Sequence, residues 1–432
     1  MSSVPTVQQT KDMGNNASAV KTSTTSTIGF PEEGEMDSLV IHTPSGSLPV
    51  TAEMNIVDTQ KNEKFPCFRI LDPHGNPIPG AVMPDIEKED AVAMYKTMIQ
   101  SMTIDDIFYN AQRQGRISFY MQNLGEEGTQ IGSSAALKPD DMIFAQYREL
   151  GVLLWRGYTT EEVANQCFAN EMDTGKGRMM PVHYGSKKLN FQTISSPLTT
   201  QLPQAVGAAY AMKLNQANAI TIVYFGEGAA SEGDFHAAMN FAATLECPMI
   251  FFCRNNGYAI STPVEDQYKG DGIASRAAGY GMHAIRVDGN DLLAVKMATE
   301  AAREIAIRES RPVFIESMSY RRGHHSTSDD STRYRSVTEI KMWEEHYDPV
   351  KRFRKFIEHK GWWSEEEEQE AKDKERVNVL SALENAESAP KPPISEMFTD
   401  VYAQMPKHIR DQRDEAMAHV KRYPDEYDLN SH

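Results

Sequence analysis

An α/β fold, built on a mostly parallel sheet with helices on both faces, is what the sequence predicts. Strand-like and helix-like segments alternate repeatedly between Ala219 and Tyr320. The strand-like ones, AITIVYF, PMIFFCR and PVFIESM, are continuous apolar runs, the pattern of strands covered on both sides. Each run ends in a turn rich in Gly, Asn or charged residues, so parallel strands bring these turns to one edge of the sheet.

The elements follow in chain order. Residues 1–29 are rich in Ser and Thr, carry Asp12 as their only acid and show no periodic apolar face, so they read as disordered. A targeting leader would share the hydroxyl-rich, acid-poor character, although the first arginine is Arg69. Residues 30–64 add acids and turn formers, which gives a disordered or extended N-terminal segment over 1–64. FPCFRILDPHGNPI reads as a strand and a turn. From Pro84 to Gly115, Ala91, Met94, Tyr95, Met98, Met102 and Ile107 recur near helical spacing and predict a core-packed helix.

Four glycines in QRQGRISFYMQNLGEEGTQIGSSAAL then break a helix-loop-helix, and DMIFA precedes the QYRE turn. Later, Asp291 N-caps a helix with one apolar stripe through Leu292, Val295, Ala298, Ala302 and Ile305. The α/β domain spans 65–348, and 349–432 form a helical tail. In that tail Trp362, Trp363, Met397, Phe398, Val401 and Tyr402 are apolar or aromatic groups in a polar context, the composition of a partner contact.

Composition narrows the function classes. A chain of 432 residues with 40% hydrophobic content buries a large core, and a net charge of -17 argues against nucleic acid or anionic membranes as partners. No apolar run approaches the ~20 residues of a spanning helix. Cys67, Cys167, Cys247 and Cys253 lack metal-ligand spacing and read as reduced thiols.

The chemistry concentrates between Tyr224 and Thr262. Gly226, Glu227 and Gly228 end one apolar strand, and small and acidic residues through Asp234 open a helical pattern at whose start a phosphate would sit. Twenty-six residues separate Gly228 from Asn255 and Asn256, which follow a second apolar strand. Glu227 and Asn256 then share a divalent cation. Mg²⁺ takes six hard oxygens at roughly 2.1 Å, and a carboxylate, an amide oxygen, the Tyr258 carbonyl and two diphosphate oxygens nearly fill that shell. Gly257 lets the backbone turn its carbonyl inward.

Three further stretches add polar groups. Arg148 in QYRE has the fork shape that holds two diphosphate oxygens. Ser195, Ser196, Thr200 and Gln201 precede an Ala-rich helix and either cap it or hold a monovalent cation. RRGHHSTSDDSTRYRS is too polar for core, and His324 or His325 suits proton transfer. Phosphate on Ser326 or Ser336 would either rebuild the local ion pairs or close the pocket by repulsion.

The spacing from GEG to NN resembles the thiamin diphosphate motif, with Glu227 in place of the usual Asp. Over roughly Phe65 to Tyr427, QRQGRISFYM, GEEGT, QYRE, GKGR, MPVHYG, TISSPL, YFGEGAASEGD, FFCRNNGYAISTP, RVDGND and GHHSTSDDS resemble the E1 alpha subunits of branched-chain 2-oxoacid dehydrogenases. Pyruvate dehydrogenase alpha subunits, the alternative substrate class, usually carry GDGAANQG and a GHSMSDP-like loop. A non-catalytic regulatory or assembly subunit is the alternative of another kind.

The resemblance implies a thiamin diphosphate-binding fold and a mitochondrial matrix enzyme that decarboxylates branched 2-oxoacids and passes the acyl group to lipoyl-bearing E2. It implies an α2β2 assembly with an E1 beta subunit. Glu227, Asn256 and Tyr258 match Mg²⁺ ligands. Tyr147, Arg148, Ser196, Leu198, Glu227, Gly228, Ala229, Arg254, Asn256 and His325 match the cofactor pocket, with His325 the catalytic group. Ser195, Pro197, Thr200 and Gln201 match a potassium loop, and Ser326 and Ser336 match serines governed by a kinase and a phosphatase.

Overall fold

The computed structural model describes residues 40–43, 46–54, 56 and 63–427. The predicted disorder of residues 1–29 and the expected leader lie outside these residues. The first compact unit, ending at Asn62, contains β1 (Val40–Thr43) and β2 (Gly46–Pro49), paired antiparallel.

The second unit begins at Glu63 and carries everything else. It opens with β3 (Cys67–Phe68), α1 (Lys88–Arg113), α2 (Glu127–Ala135), β4 (Met142–Phe144), α3 (Leu150–Trp155), α4 (Thr160–Phe168) and β5 (Phe191–Gln192). Next come α5 (Gln201–Leu214), β6 (Thr221–Gly226), α6 (Gly233–Thr244), β7 (Met249–Asn255), the small hairpin β8 (Tyr258–Ala259) and β9 (Thr262–Pro263), and α7 (Val264–Gln267). It closes with β10 (His283–Asp288), α8 (Leu292–Glu309), β11 (Val313–Met318), α9 (Val337–His346), α10 (Pro349–His359), α11 (Glu365–Ser388) and α12 (Lys407–Arg422).

Seven strands form one sheet in the order β3-β10-β11-β7-β6-β4-β5, and every pairing in it is parallel. Side chains alternate across a strand, so β6 sends Ile222 and Tyr224 to one face and Val223 and Phe225 to the other. The first face packs with Ile250, Phe252 and Ile315 against α1, α2, α8 and α10. The second packs with Phe251, Cys253 and Phe314 against α5 and α6. Helices therefore cover both faces, as the continuous apolar runs require. Each fully buried Ile or Phe contributes on the order of 1.5–3 kcal/mol relative to exposure.

Leu292, Val295, Ala298 and Ala302 of the α8 stripe are buried as predicted and Ile305 is half-buried, and the Asp291 carboxylate caps the helix by accepting the Ala294 N–H at 3.1 Å. Its other oxygen accepts the Ile70 and Leu71 N–H groups at 2.8 and 2.6 Å, which fastens the chain just after β3 to the helix start.

The tail corrects one expectation. Trp363 is buried, meets Tyr95 edge-on at 5.4 Å and donates its indole N–H to Glu368 at 2.9 Å, and Trp362 packs on the same core. The tryptophans clamp α11 to α1 inside the chain, because an indole buries most of its area while its N–H finds a carboxylate. Met397, Val401 and Tyr402 stay exposed. Among the described residues no helix is long and apolar enough to cross a membrane.

Candidate active site

Parallel strands end at a common edge, and the registers align Gly226 with Arg254 and Asn255 with Met318. The turns after β4, β6, β7 and β11 therefore lie side by side. They carry Gln146–Glu149, Glu227–Ala229, Asn256–Tyr258 and Tyr320–His325.

Glu227 is only 1% exposed. Its carboxylate accepts the Asn256 N–H at 3.3 Å and the Gln267 amide at 3.4 Å, and burial raises its pKa above the usual carboxylate range. Gly257 sits at φ +88°, the left-handed turn expected of it. Gly228 is required for a different reason: a Cβ there would stand 2.5 Å from the Ala259 Cβ, so the β8–β9 hairpin packs directly on the acidic turn.

The expected helix start is displaced. A 3-10 turn, Ala229–Ser231, separates Gly228 from α6, and its first hydrogen bond runs from the Ala230 N–H to the Glu227 carbonyl. The Gly228 and Ala229 N–H groups precede that bond, so the free donors of this strand end belong to the short turn.

Behind the turns lies a buried charge cluster. Arg254 donates through Nε to Glu149 Oε1 at 2.7 Å, with Nη2 in ion-pair contact with the same oxygen at 2.6 Å, and through Nη1 to Glu126 Oε2. Burial opposes its charge, but Glu149 and Glu126 more than offset this, and its pKa is raised. The Arg254 guanidinium, matched to the cofactor pocket by resemblance, is held on one side by two carboxylates. Arg148 also points inward: it donates to the Gln122 carbonyl and, at 2.8 Å, to the His325 carbonyl, with Nε 3.5 Å from Glu126. Burial holds its pKa below the usual guanidinium value.

His325 stacks edge-on to Tyr147 at 6.0 Å. Its Nδ1 faces Arg321 Nη1 at 3.4 Å, and its backbone N–H donates to Asp329 at 2.8 Å. Burial, then the charges of Arg148 and Arg321, push the imidazole down to about 3, so it is neutral at physiological pH. An arginine can only donate, which makes Nδ1 the acceptor and leaves the proton on Nε2. Arg321 also donates to the Tyr258 and Ile260 carbonyls at 3.3 and 2.6 Å and to the Tyr334 hydroxyl at 2.8 Å. His324 is a loop residue instead, bonded through Nδ1 to Ser331.

The Ser195–Leu198 stretch is exposed, with Leu198 at 42%. The Ser196 hydroxyl lies 2.7 Å from His183 Nε2. Thr200 makes no side-chain cap and donates instead to the Pro197 carbonyl at 3.1 Å, while Gln201 donates to the Tyr224 carbonyl at 3.1 Å.

The model of the dehydrogenase E1 component family matches residues 95–395. The chain is 58% identical over 378 residues to the mitochondrial 2-oxoisovalerate dehydrogenase subunit alpha of Dictyostelium discoideum, covering 87% of this chain and 86% of that relative. The corresponding subunit of Caenorhabditis elegans is 54% identical over 380 residues, 88% of each chain. The human one is 52% identical over 387 residues, 90% of this chain and 87% of the relative. The chain belongs to the dehydrogenase E1 component family.

In this E1 component, the groups that sequence reasoning passed over are Glu126, Glu149, Gln146 and Arg321. Gln146 accepts the Gly226 N–H at 2.8 Å and ties β4 to the acidic turn. Glu126 and Glu149 stood in the conspicuous strings GEEGT and QYRE, but only the fold reveals that both converge on Arg254.

Proposed function

We propose that this chain is the alpha subunit of a mitochondrial branched-chain 2-oxoacid dehydrogenase E1, acting on 3-methyl-2-oxobutanoate and related acids with an E1 beta subunit and passing the acyl group to lipoyl-E2. The observation that carries this is similarity, over nearly nine-tenths of its length, to alpha subunits of 2-oxoisovalerate dehydrogenases. Their names favour the branched substrates over pyruvate.

The E1 family implies thiamin diphosphate. Bound, it supplies the carbanion nucleophile and the electron sink for loss of carbon dioxide. The residues fit the group: Glu227, the Asn256 amide oxygen and the Tyr258 carbonyl are hard oxygens suited to Mg²⁺ beside a diphosphate. Among the described residues no three His, Cys, Asp or Glu side chains are placed so that they could hold a metal ion by themselves. A site with a single carboxylate leaves the remaining positions to neutral oxygens and phosphate.

Gly228 and Ala229 would donate to phosphate. Tyr147, Arg148, Ser196 and Leu198 would border the cofactor, and Arg254 would shape its pocket from behind. His325, neutral and protonated on Nε2, would give or accept a proton at the substrate. Ser195, the Pro197 carbonyl, Thr200 and Gln201 would hold K⁺ once their loop is covered. A kinase and a phosphatase would act at Ser326 and Ser336. Ser326 is buried beside His325, whereas Ser336 is exposed and N-caps α9. Phosphate on Ser326 would push charge into the pocket.

Calorimetric titration of thiamin diphosphate with Mg²⁺ into the co-purified alpha–beta complex tests the reading. Glu227→Ala is expected to weaken binding at least ~100-fold, the upper end for loss of metal support. Unchanged binding overturns it, and a non-catalytic subunit then becomes the better account.

A further inference from the structure

We propose that Glu126 is a positioning residue that fixes which end of the Asn256 amide faces the cation; this rests on the Mg²⁺ reading above. An Asn side chain has a donor end and an acceptor end of almost equal shape, and only the oxygen can bind a metal. Something must therefore choose the rotamer.

The choice is made on both sides of the amide. Asn256 Nδ2 donates to Glu126 Oε1 at 2.8 Å. Glu126 is 0% exposed, its Oε2 accepts from Arg254, and Arg148 Nε stands 3.5 Å from Oε1. A carboxylate flanked by two guanidiniums accepts and does not donate, so it takes only the amide NH₂. Opposite it, Asn256 Oδ1 accepts the Tyr258 backbone N–H at 3.3 Å, a group that only donates. One neighbour refuses the oxygen and the other refuses the nitrogen. The oxygen is thereby held on the side of Tyr258, whose carbonyl is the next ligand, and it keeps a second lone pair for the cation.

Glu126→Gln reverses this logic. The new amide turns its oxygen toward Arg254, because that guanidinium can only donate, and its nitrogen toward Asn256. Two donors then face each other on that side while the Tyr258 N–H still opposes a turned amide, so neither rotamer is satisfied and the Asn256 oxygen is no longer held toward the cation. Asn256→Asp in the same background repairs the contact, since a carboxylate accepts from the substituted amide nitrogen at position 126 and has no wrong end.

The test measures half-saturating Mg²⁺ for thiamin diphosphate binding by calorimetry in the assembled complex, with thermal midpoints recorded for every variant. Glu126→Gln is expected to raise that concentration about 10-fold or more, in line with other residues that orient metal ligands. Glu126→Gln with Asn256→Asp is expected to bring it back to within ~3-fold of the parent by the same reasoning. If the parent complex shows no Mg²⁺-dependent binding, the metal site itself is refuted. Should the parent respond while Glu126→Gln matches it, the positioning role alone falls. That role falls equally if the double variant binds as weakly as the single one.

Discussion

Two stretches that belong to one proposed pocket are built in opposite ways. Around Glu227, Asn256 and Arg254 every charged side chain is buried and held by named partners, so the geometry is fixed by this chain alone. Residues Ser195–Leu198 are exposed, and the Ser196 hydroxyl and the Pro197 and Leu198 carbonyls are bonded only to His183 or to near neighbours. The difference teaches which half of the site is complete. The strand-end half is held by its own bonds, while on the proposed reading the loop half is gathered by a second chain or an ion.

The contrast is most severely tested at its buried side. Arg254→Met strands Glu126 and Glu149 without their shared cation, and loss of one partner of a buried pair costs about 3–5 kcal/mol. Chemical denaturation should show that loss in full, and a drop below ~1 kcal/mol would mean the cluster is open to water.

Next in size is His325→Gln, which should lower turnover about 10²–10⁴-fold. The pH dependence of stability adds an independent reading. His325 is held down to about 3, whereas an unfolded histidine titrates near 6.5. Between those values the unfolded chain binds a proton that the folded one refuses, so stability falls as pH falls through this window. Urea unfolding should show the parent losing stability faster than His325→Gln from pH 6.5 toward 3, and parallel curves would refute the shift.

The smallest effect belongs to the open side. Leu198→Ala should change this chain's own stability by less than ~0.5 kcal/mol, as for most exposed positions. The same change should weaken thiamin diphosphate binding in the alpha–beta complex. Equal effects with and without the beta subunit would erase the contrast between the two halves.

The legibility of the sequence divides along the same line. Strands such as Thr221–Gly226 and Met249–Asn255 are readable because burial on both faces forces unbroken apolar runs. The Asp291 cap and the turn at Gly257 are readable because each needs one residue type at one place. Glu126 is separated from Arg254 by 128 positions, and nothing local marks them as partners. Arg254 shows the same limit: the two carboxylates that hold it from one side come from elsewhere in the fold. The tryptophan pair misled because aromatic residues in a polar segment have the same composition whether they meet a second protein or α1.

The strand order also sets a timetable. β10 precedes β11 in the chain, yet β11 lies between β10 and β7, so until Val313–Met318 is inserted the sheet exists as two pieces. The acidic turn and the paired asparagines belong to the earlier piece, and the histidine loop arrives only with the last strand. A chain that stops before this point lacks both the strand that joins the two pieces and the loop that carries His325. Such non-local pairing is intrinsically slow to form, and the strand that joins the sheet is also the one that leads into the histidine loop.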